Sequence, residues 1–209
     1  MTTSARELIP ERPTLPRLRE AAAACRACEL WRGTTQTVFG AGPASARIML
    51  VGEMAGDQED RQGQPFVGPA GRELDRGLET AEIDRGEVYV TNVVKHFKYE
   101  ERGKRRIHQT PRKGEIDACR PWLDTEIGLV RPLALVTLGA TAAKALLGAG
   151  FRVTQRRGEV LESDLAPVVV ATIHPAAIVR ERDAESRARE RDAFAGDLRA
   201  AAQAASERG

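Results

Sequence analysis

The sequence predicts an α/β protein, a three-layer α/β/α sandwich around a central four-stranded parallel sheet. Four short apolar runs rich in β-branched residues predict its buried strands. These runs lie at 47–51, at 88–90 continuing into Thr91 and Asn92, at 133–138 and at 168–172. Helix-compatible segments separate them, and such alternation is typical of a parallel sheet with helices on its faces. A length of 209 residues without an internal repeat or low-complexity linker predicts one domain over 1–209.

The helices are predicted from apolar spacing and from helix-start residues. Pro69 and Ala70 open a helix at 71–81, in which Leu74 and Leu78 recur at helical spacing. Further helices are predicted at 15–30, 116–130, 140–147 and about 185–205, the last within a C-terminal helix and tail at 184–209. The segment 95–113, before the 116–130 helix, is predicted to be a basic loop.

The composition is that of an ordinary globular protein, with 42% hydrophobic and 30% charged residues. The first thirty residues contain several charged side chains and no apolar segment, so we expect no secretory signal. No stretch reaches the roughly 20 apolar residues of a membrane helix. We therefore expect a cytoplasmic protein, a monomer without membrane contact.

Positive charge is concentrated in one segment of the chain. Residues 95–113 carry eight Lys or Arg side chains against two Glu, a net charge of +6, while the whole chain carries +2. A local basic patch on a slightly acidic body indicates a polyanionic partner that binds at one place. A solvated basic loop without a partner is the alternative.

Polar side chains follow three of the predicted strands. Glu53 follows the first strand, Asn92 ends the second, and His174 follows the fourth. Because open α/β sheets bind ligands outside the carboxyl ends of their strands, we expect these groups to converge on one active site.

Three cysteines indicate a metal site, since an odd count in a reducing compartment argues against a disulfide framework. Cys25 and Cys28 have the spacing of a metal-binding pair, and Cys119 supplies a third thiol. A four-ligand site needs one more donor, and His96 is the best placed of the three histidines. Zinc held by three cysteines and a histidine, a 4Fe–4S cluster, and three ordinary thiols all remain open on ligand chemistry alone.

Four ordered motifs resemble those of the iron–sulfur (family 4) uracil-DNA glycosylases. The resemblance extends from Cys25 to about Arg180. Its motifs are Gly52-Glu53-x-x-Gly56, the PFVGPAG run at 65–71, the TNVVK run at 91–95 and His174-Pro175. It implies excision of uracil from DNA, with Phe66 stacking on the extruded base and Asn92 reading its N3–H and O4. Phe66 in the core and Asn92 as a turn cap are the alternatives.

Two departures from that family resemble its UdgX-type branch, whose members excise uracil and stay covalently bound to the DNA. His96 stands where the other glycosylases have cysteine, and the segment GKRRIHQ at 103–109 is an addition. The branch resemblance implies a 4Fe–4S cluster held by Cys25, Cys28, His96 and Cys119. It also implies uracil-containing DNA as the partner, which we expect to be single-stranded.

The resemblance implies three catalytic residues. His174 donates a hydrogen bond to the departing uracil, and Glu53 stabilises the cationic sugar or orients the nucleophile. His108 is the predicted nucleophile, attacking C1′ of the sugar in place of water. The cations around it should disfavour its protonation. A His108 that only contacts phosphate is the alternative, and it leaves a conventional turnover glycosylase.

The remaining predicted contacts surround these residues. Lys104, Arg105, Arg106 and Gln109 are predicted to bind DNA, in part through its phosphates. Met54, Ala55 and Asp57 are predicted at the uracil, although UdgX-type proteins usually have Gln-Pro at 54–55. Met54 lacks an amide and Ala55 is less rigid than proline, which puts the binding strength and excision rate in doubt. A uracil-DNA binding protein without chemistry is a further alternative.

Overall fold

A mixed five-stranded sheet forms the centre of the protein. The computed structural model describes residues 4–208, so the predicted domain limits at residues 1 and 209 lie outside it. The strands are β1 Ile48–Met54, β2 Val88–Val94, β3 Tyr99–Arg102, β4 Arg105–His108, β5 Ala134–Leu138, β6 Val160–Ser163 and β7 Ala166–Thr172. The sheet order is β2-β1-β5-β7-β6, and β3 and β4 form a separate two-stranded sheet. All central pairings are parallel except that of β6 with β7.

The prediction of a four-stranded, purely parallel sheet is therefore wrong in strand number and in direction. The four predicted strands correspond to β1, β2, β5 and β7, whereas β6 is an additional antiparallel edge strand. Leu161 is the one buried residue of β6, and Val160 is 44% exposed. An edge strand that is mostly solvated lacks the continuous apolar run by which the buried strands are recognised.

Helices cover both faces of the sheet. They are α1 Leu15–Ala23, α2 Asp57–Gln62, α3 Pro69–Thr80, α4 Lys113–Val130, α5 Ala140–Leu147, α6 Val153–Arg156, α7 Pro175–Arg180 and α8 Ala184–Glu207. Met49, Val51 and Leu135 pack in one core with side chains of α1, α4 and α5. Alternate strand residues, among them Leu50 and Val136, pack in a second core with α3 and α8. No helix within residues 4–208 has the length and apolar character needed to cross a bilayer.

Two predicted segments differ from the structure. The helix predicted at 15–30 ends at Ala23, so Cys25 and Cys28 lie in the loop that follows α1. The predicted basic loop contains the β3–β4 hairpin, in which Tyr99 pairs with His108. Gly103 occupies its turn with a φ of +61°, a conformation that glycine adopts without steric cost. The hairpin therefore fixes the position of His108 through backbone pairing.

Candidate active site

A cavity of about 780 Å³ opens at the carboxyl ends of the central parallel strands. It is lined by residues from four strand ends, the hairpin and the loops that follow. Among the predicted site residues, its lining contains Glu53, Met54, Asp57, Phe66, Asn92, His108 and His174. Ala55 is buried beside the cavity and does not line it. The structure thus brings together the three predicted catalytic residues and most of the predicted uracil contacts.

Asn92 and Phe66 meet over Gly52 at the base of the cavity. Asn92 is 2% exposed, and its Oδ1 has no hydrogen-bond partner among the described residues. A Cβ at Gly52 would approach this oxygen closely and would lie 2.6 Å from Phe66 Cζ. Glycine is therefore required at position 52 for the amide and the ring to sit side by side.

Phe66 has an unusual backbone conformation, with a φ of +57°. A bulky residue in this region stores strain, which the surrounding structure must hold in place. The Phe66 carbonyl packs against Gly71 of α3, where a Cβ would collide with it. The Glu59 carboxylate joins the start of α2 to the loop that carries Phe66, accepting hydrogen bonds from Gly56 N at 3.1 Å and Gly68 N at 2.7 Å.

His174 presents a neutral imidazole to the cavity. It is the N-cap of α7, and its Nδ1 accepts a hydrogen bond from Ala176 N at 3.1 Å. Burial lowers the pKa of His174 to about 4. With Nδ1 accepting, the single proton of the neutral ring lies on Nε2, which is the donor. The ring stacks at 5.9 Å from the Phe66 ring.

His108 lies beside Glu53 at the mouth of the cavity. His108 Nε2 is 3.2 Å from Glu53 Oε1, although this contact lacks the alignment of a hydrogen bond. The His108 side chain is 49% exposed and that of Glu53 is 17% exposed. Burial favours a raised pKa at Glu53, but interactions with His108 and Thr141 outweigh it and the pKa is lowered. Glu53 is therefore a carboxylate next to an accessible imidazole.

Arg106 anchors the hairpin to α2. Its guanidinium pairs with Asp57 and with the fully buried Asp60, where Nη1 lies 2.6 Å from Oδ2. It also lies 5.3 Å and 5.0 Å from the ring centroids of Phe97 and Tyr99. These contacts leave the side chain 14% exposed. Arg106 and Asp57, predicted to contact DNA and uracil respectively, thus bind each other.

The other cations of the basic segment differ in exposure. Lys104 and Arg105 are exposed at the tip of the hairpin, where they are free to meet a phosphate chain. Gln109 is half-buried and lies 3.4 Å from the Glu100 carboxylate. Lys95 is 1% exposed, so it contributes nothing to the basic surface.

The predicted metal ligands lie in one buried region beside α1 and α4. Cys25, Cys28, His96 and Cys119 are all at most 6% exposed. Cys25 Sγ accepts a hydrogen bond from the Trp122 indole at 3.3 Å, and Cys119 Sγ accepts one from Lys95 N at 3.3 Å.

The electrostatics of these donors follow from their burial. The pKa of Cys119 is raised to about 12, mainly by burial and in smaller part by the nearby Cys25 and Cys28. Burial also lowers the pKa of His96 to about 4, and its Nε2 lies 3.1 Å from Thr37 Oγ1. Within residues 4–208, no group of three or more His, Cys, Asp or Glu side chains is arranged to hold a metal ion.

The fold and cavity define an α/β protein with its ligand site at the carboxyl edge of the sheet. Residues 39–199 match the family model of the Uracil DNA glycosylase superfamily, and the chain belongs to that superfamily. It is 36% identical to the type-4 uracil-DNA glycosylase of Sulfurisphaera tokodaii over 174 residues, which are 78% of this chain and 75% of the relative. It is equally similar to the type-4 uracil-DNA glycosylases of Pyrobaculum aerophilum (80% and 85% covered) and Thermotoga maritima (78% and 82% covered).

Several residues of the site were missed in the sequence. The sequence singles out neither Glu59 nor Asp60, yet both are buried, and they bind the cavity loop and Arg106 of the hairpin. Thr141 follows the third predicted strand and interacts with Glu53. Arg180, at the end of α7, lines the cavity. The available signal in the sequence was a polar residue shortly after each predicted strand, and among these missed residues only Thr141 has it.

Proposed function

We propose that this protein is a uracil-DNA glycosylase that excises uracil and remains attached through His108 to C1′ of the abasic sugar. The observation that carries the proposal is the position of His108 Nε2, 3.2 Å from Glu53 at the cavity that also contains Asn92, Phe66 and His174. A conventional turnover glycosylase needs a carboxylate and water here, but not an imidazole.

Asn92 and Phe66 would recognise the base. Uracil stacked on Phe66 would present its N3–H to Asn92, whose Oδ1 has no partner among the described residues and would accept that hydrogen bond. Cytosine offers an acceptor at that position, which would leave buried polar groups unpaired. Each unpaired group costs about 1–3 kcal/mol, so two give strong discrimination. The base must leave the stack to enter, which favours single-stranded DNA.

His174 would assist the departure of uracil. When the C1′–N1 bond breaks, its electron pair leaves with the base, and negative charge develops on the uracil oxygens. The neutral imidazole, with Nδ1 fixed by Ala176, presents its Nε2–H to that charge. The donor is already oriented before reaction, so its reorganisation cost is small.

His108 would then capture the sugar. Loss of uracil leaves a cationic C1′, which the Glu53 carboxylate stabilises by charge. The lone pair on the unprotonated nitrogen of the neutral His108 ring forms the bond to C1′, and the imidazolium that results loses the proton on its other nitrogen to water. The product is an N-glycosidic bond between the imidazole and C1′, formed in place of hydrolysis by water, and uracil is released as its anion. Lys104 and Arg105 would hold the flanking phosphates.

Cys25, Cys28, His96 and Cys119 would hold a 4Fe–4S cluster, since they supply four buried donors of the types that such clusters take, although the described residues are not arranged around a single metal ion. Three thiols share one region with an imidazole whose lowered pKa keeps it neutral and able to bind a metal. The N–H groups of Lys95, Trp122 and Leu30 already donate to the sulfurs, as expected around thiolate ligands. The cluster would stabilise the fold and supply no electron, since glycosidic cleavage needs none. Zinc is the alternative, and analysis of iron and acid-labile sulfide in purified protein distinguishes the two.

The test is a denaturing gel of protein mixed with a uracil-containing single-stranded oligonucleotide. We expect a protein–DNA species with the wild type that survives heat and detergent. His108→Ala should lose this species and release free uracil, because water then reaches C1′. A crosslink that persists in His108→Ala assigns the nucleophile elsewhere. The second candidate is a turnover glycosylase, and repeated rounds of uracil release by the wild type would select it.

A further inference from the structure

Lys95 and Glu126 form an ion pair inside the protein, where their side chains are 1% and 0% exposed. Neither residue lines the cavity. A buried ion pair is often no more stabilising than apolar side chains of the same volume, so stability alone does not explain its presence.

The ammonium of Lys95 binds the backbone of Asn92. Lys95 Nζ donates to the Asn92 carbonyl at 2.7 Å and to Thr91 Oγ1 at 2.6 Å, and it contacts Glu126 Oε2. Strand β2 is at the edge of the sheet, and its outer side is bridged by Ala41 only at Val90, so the next outward carbonyl, that of Asn92, has no partner strand. Lys95 supplies the missing donor to the carbonyl of Asn92, the residue whose side chain faces the cavity.

Glu126 holds the ammonium in place from α4. Its Oε1 accepts hydrogen bonds from Tyr89 OH at 2.8 Å, Thr91 Oγ1 at 3.0 Å and Gly40 N at 3.2 Å. The carboxylate is therefore fixed by several donors from two segments of the chain. A carboxylate held this firmly fixes the position of the ammonium paired with it.

We propose that Lys95 and Glu126 are positioning residues that orient Asn92 for the base, an inference that rests on the proposed function. The Oδ1 of Asn92 makes no hydrogen bond to the described residues, so a neighbouring side chain does not fix the amide through that oxygen. Its orientation then depends on the backbone at the end of β2, which Lys95 holds. The buried pair acts on the base through Asn92 without touching it.

The test uses the double variant Lys95→Met/Glu126→Gln, which leaves no buried charge unpaired. Affinity is measured for a single-stranded oligonucleotide with one 2′-fluoro-deoxyuridine, a nucleotide that resists cleavage, in wild-type and Asn92→Ala backgrounds. We expect about a tenfold loss in the wild-type background, the effect of one lost hydrogen bond, and less than about a twofold loss in Asn92→Ala. Glu185→Gln/Arg189→Met, an exposed pair on α8, is the control for the charge change.

The outcomes separate this inference from the proposed function. Equal losses in both backgrounds, or no loss in either, overturn the positioning role. A double variant that fails to fold assigns the pair to the stability of the protein and also overturns it. Uracil release by the wild type is measured alongside, on an ordinary deoxyuridine oligonucleotide. Its absence overturns the proposed function and with it this inference.

Discussion

Replacing Arg106 with methionine should release the hairpin that carries His108. The guanidinium pairs with Asp57 and with Asp60, which is 0% exposed. Removing one partner of a buried ion pair costs about 3–5 kcal/mol, because it leaves an uncompensated charge. Asp60 keeps hydrogen bonds from the Thr35 backbone and hydroxyl, so the lower value, about 3 kcal/mol, applies. This free energy lowers the ratio of docked to undocked hairpin about a hundredfold.

The assay follows the heat-stable adduct and free uracil in parallel at saturating protein. We expect Arg106→Met to form the adduct more slowly while still releasing uracil, since Asn92, Phe66 and His174 lie on other elements. Arg102→Met is the matched control, because Arg102 is 68% exposed on the same hairpin. Adduct formation at the wild-type rate in Arg106→Met would refute the anchoring role. Arg106 would then be interpreted as a DNA contact, as the sequence predicted.

Three further predictions concern the cavity, its imidazole and the hairpin tip. Gly52→Ala places a Cβ against Asn92 and 2.6 Å from Phe66 Cζ, so excision should fall at least about tenfold with the fold retained, as circular dichroism checks. The pKa of His174 is lowered from 6.5 to about 4, so the unfolded chain binds more protons within that range and the melting temperature should fall as the pH is lowered through it. His174→Asn should flatten that dependence; an unchanged slope contradicts the assignment. Lys104→Gln and Arg105→Gln should each reduce the slope of log affinity against log salt by about 0.7 on single-stranded DNA, and an unaltered slope would exclude phosphate contact.

The strands that position the site could be predicted because they are buried on both faces. Continuous apolar runs identified β1, β2, β5 and β7, and the residues after them identified Glu53, Asn92 and His174. The edge strand β6 escaped because a half-solvated strand has no such run. The predicted helix at 15–30 extends beyond the observed end at Ala23 because alanines continue past that residue. Helical periodicity alone does not show where the chain turns.

Charge was the least reliable guide to the site. The eight cations in 95–113 predict one basic surface. In the structure, however, Lys95 is buried with Glu126, and Arg106 is bound to Asp57 and Asp60. Sequence shows that a charge is present, but its partner comes from another element. Glu59 and Asp60 were overlooked for the same reason, since their partners are loops distant in sequence.

The sequence by itself determined the α/β class, the strand ends that carry the polar groups and the identity of the imidazole in the basic segment. These properties depend on local apolar pattern and on residue type, which a single chain displays directly. Only the tertiary structure decided which charged side chains are exposed and which are bound to a partner. It also decided that the hairpin brings His108 within 3.2 Å of Glu53, because that distance depends on backbone pairing and on ion pairs between separate elements.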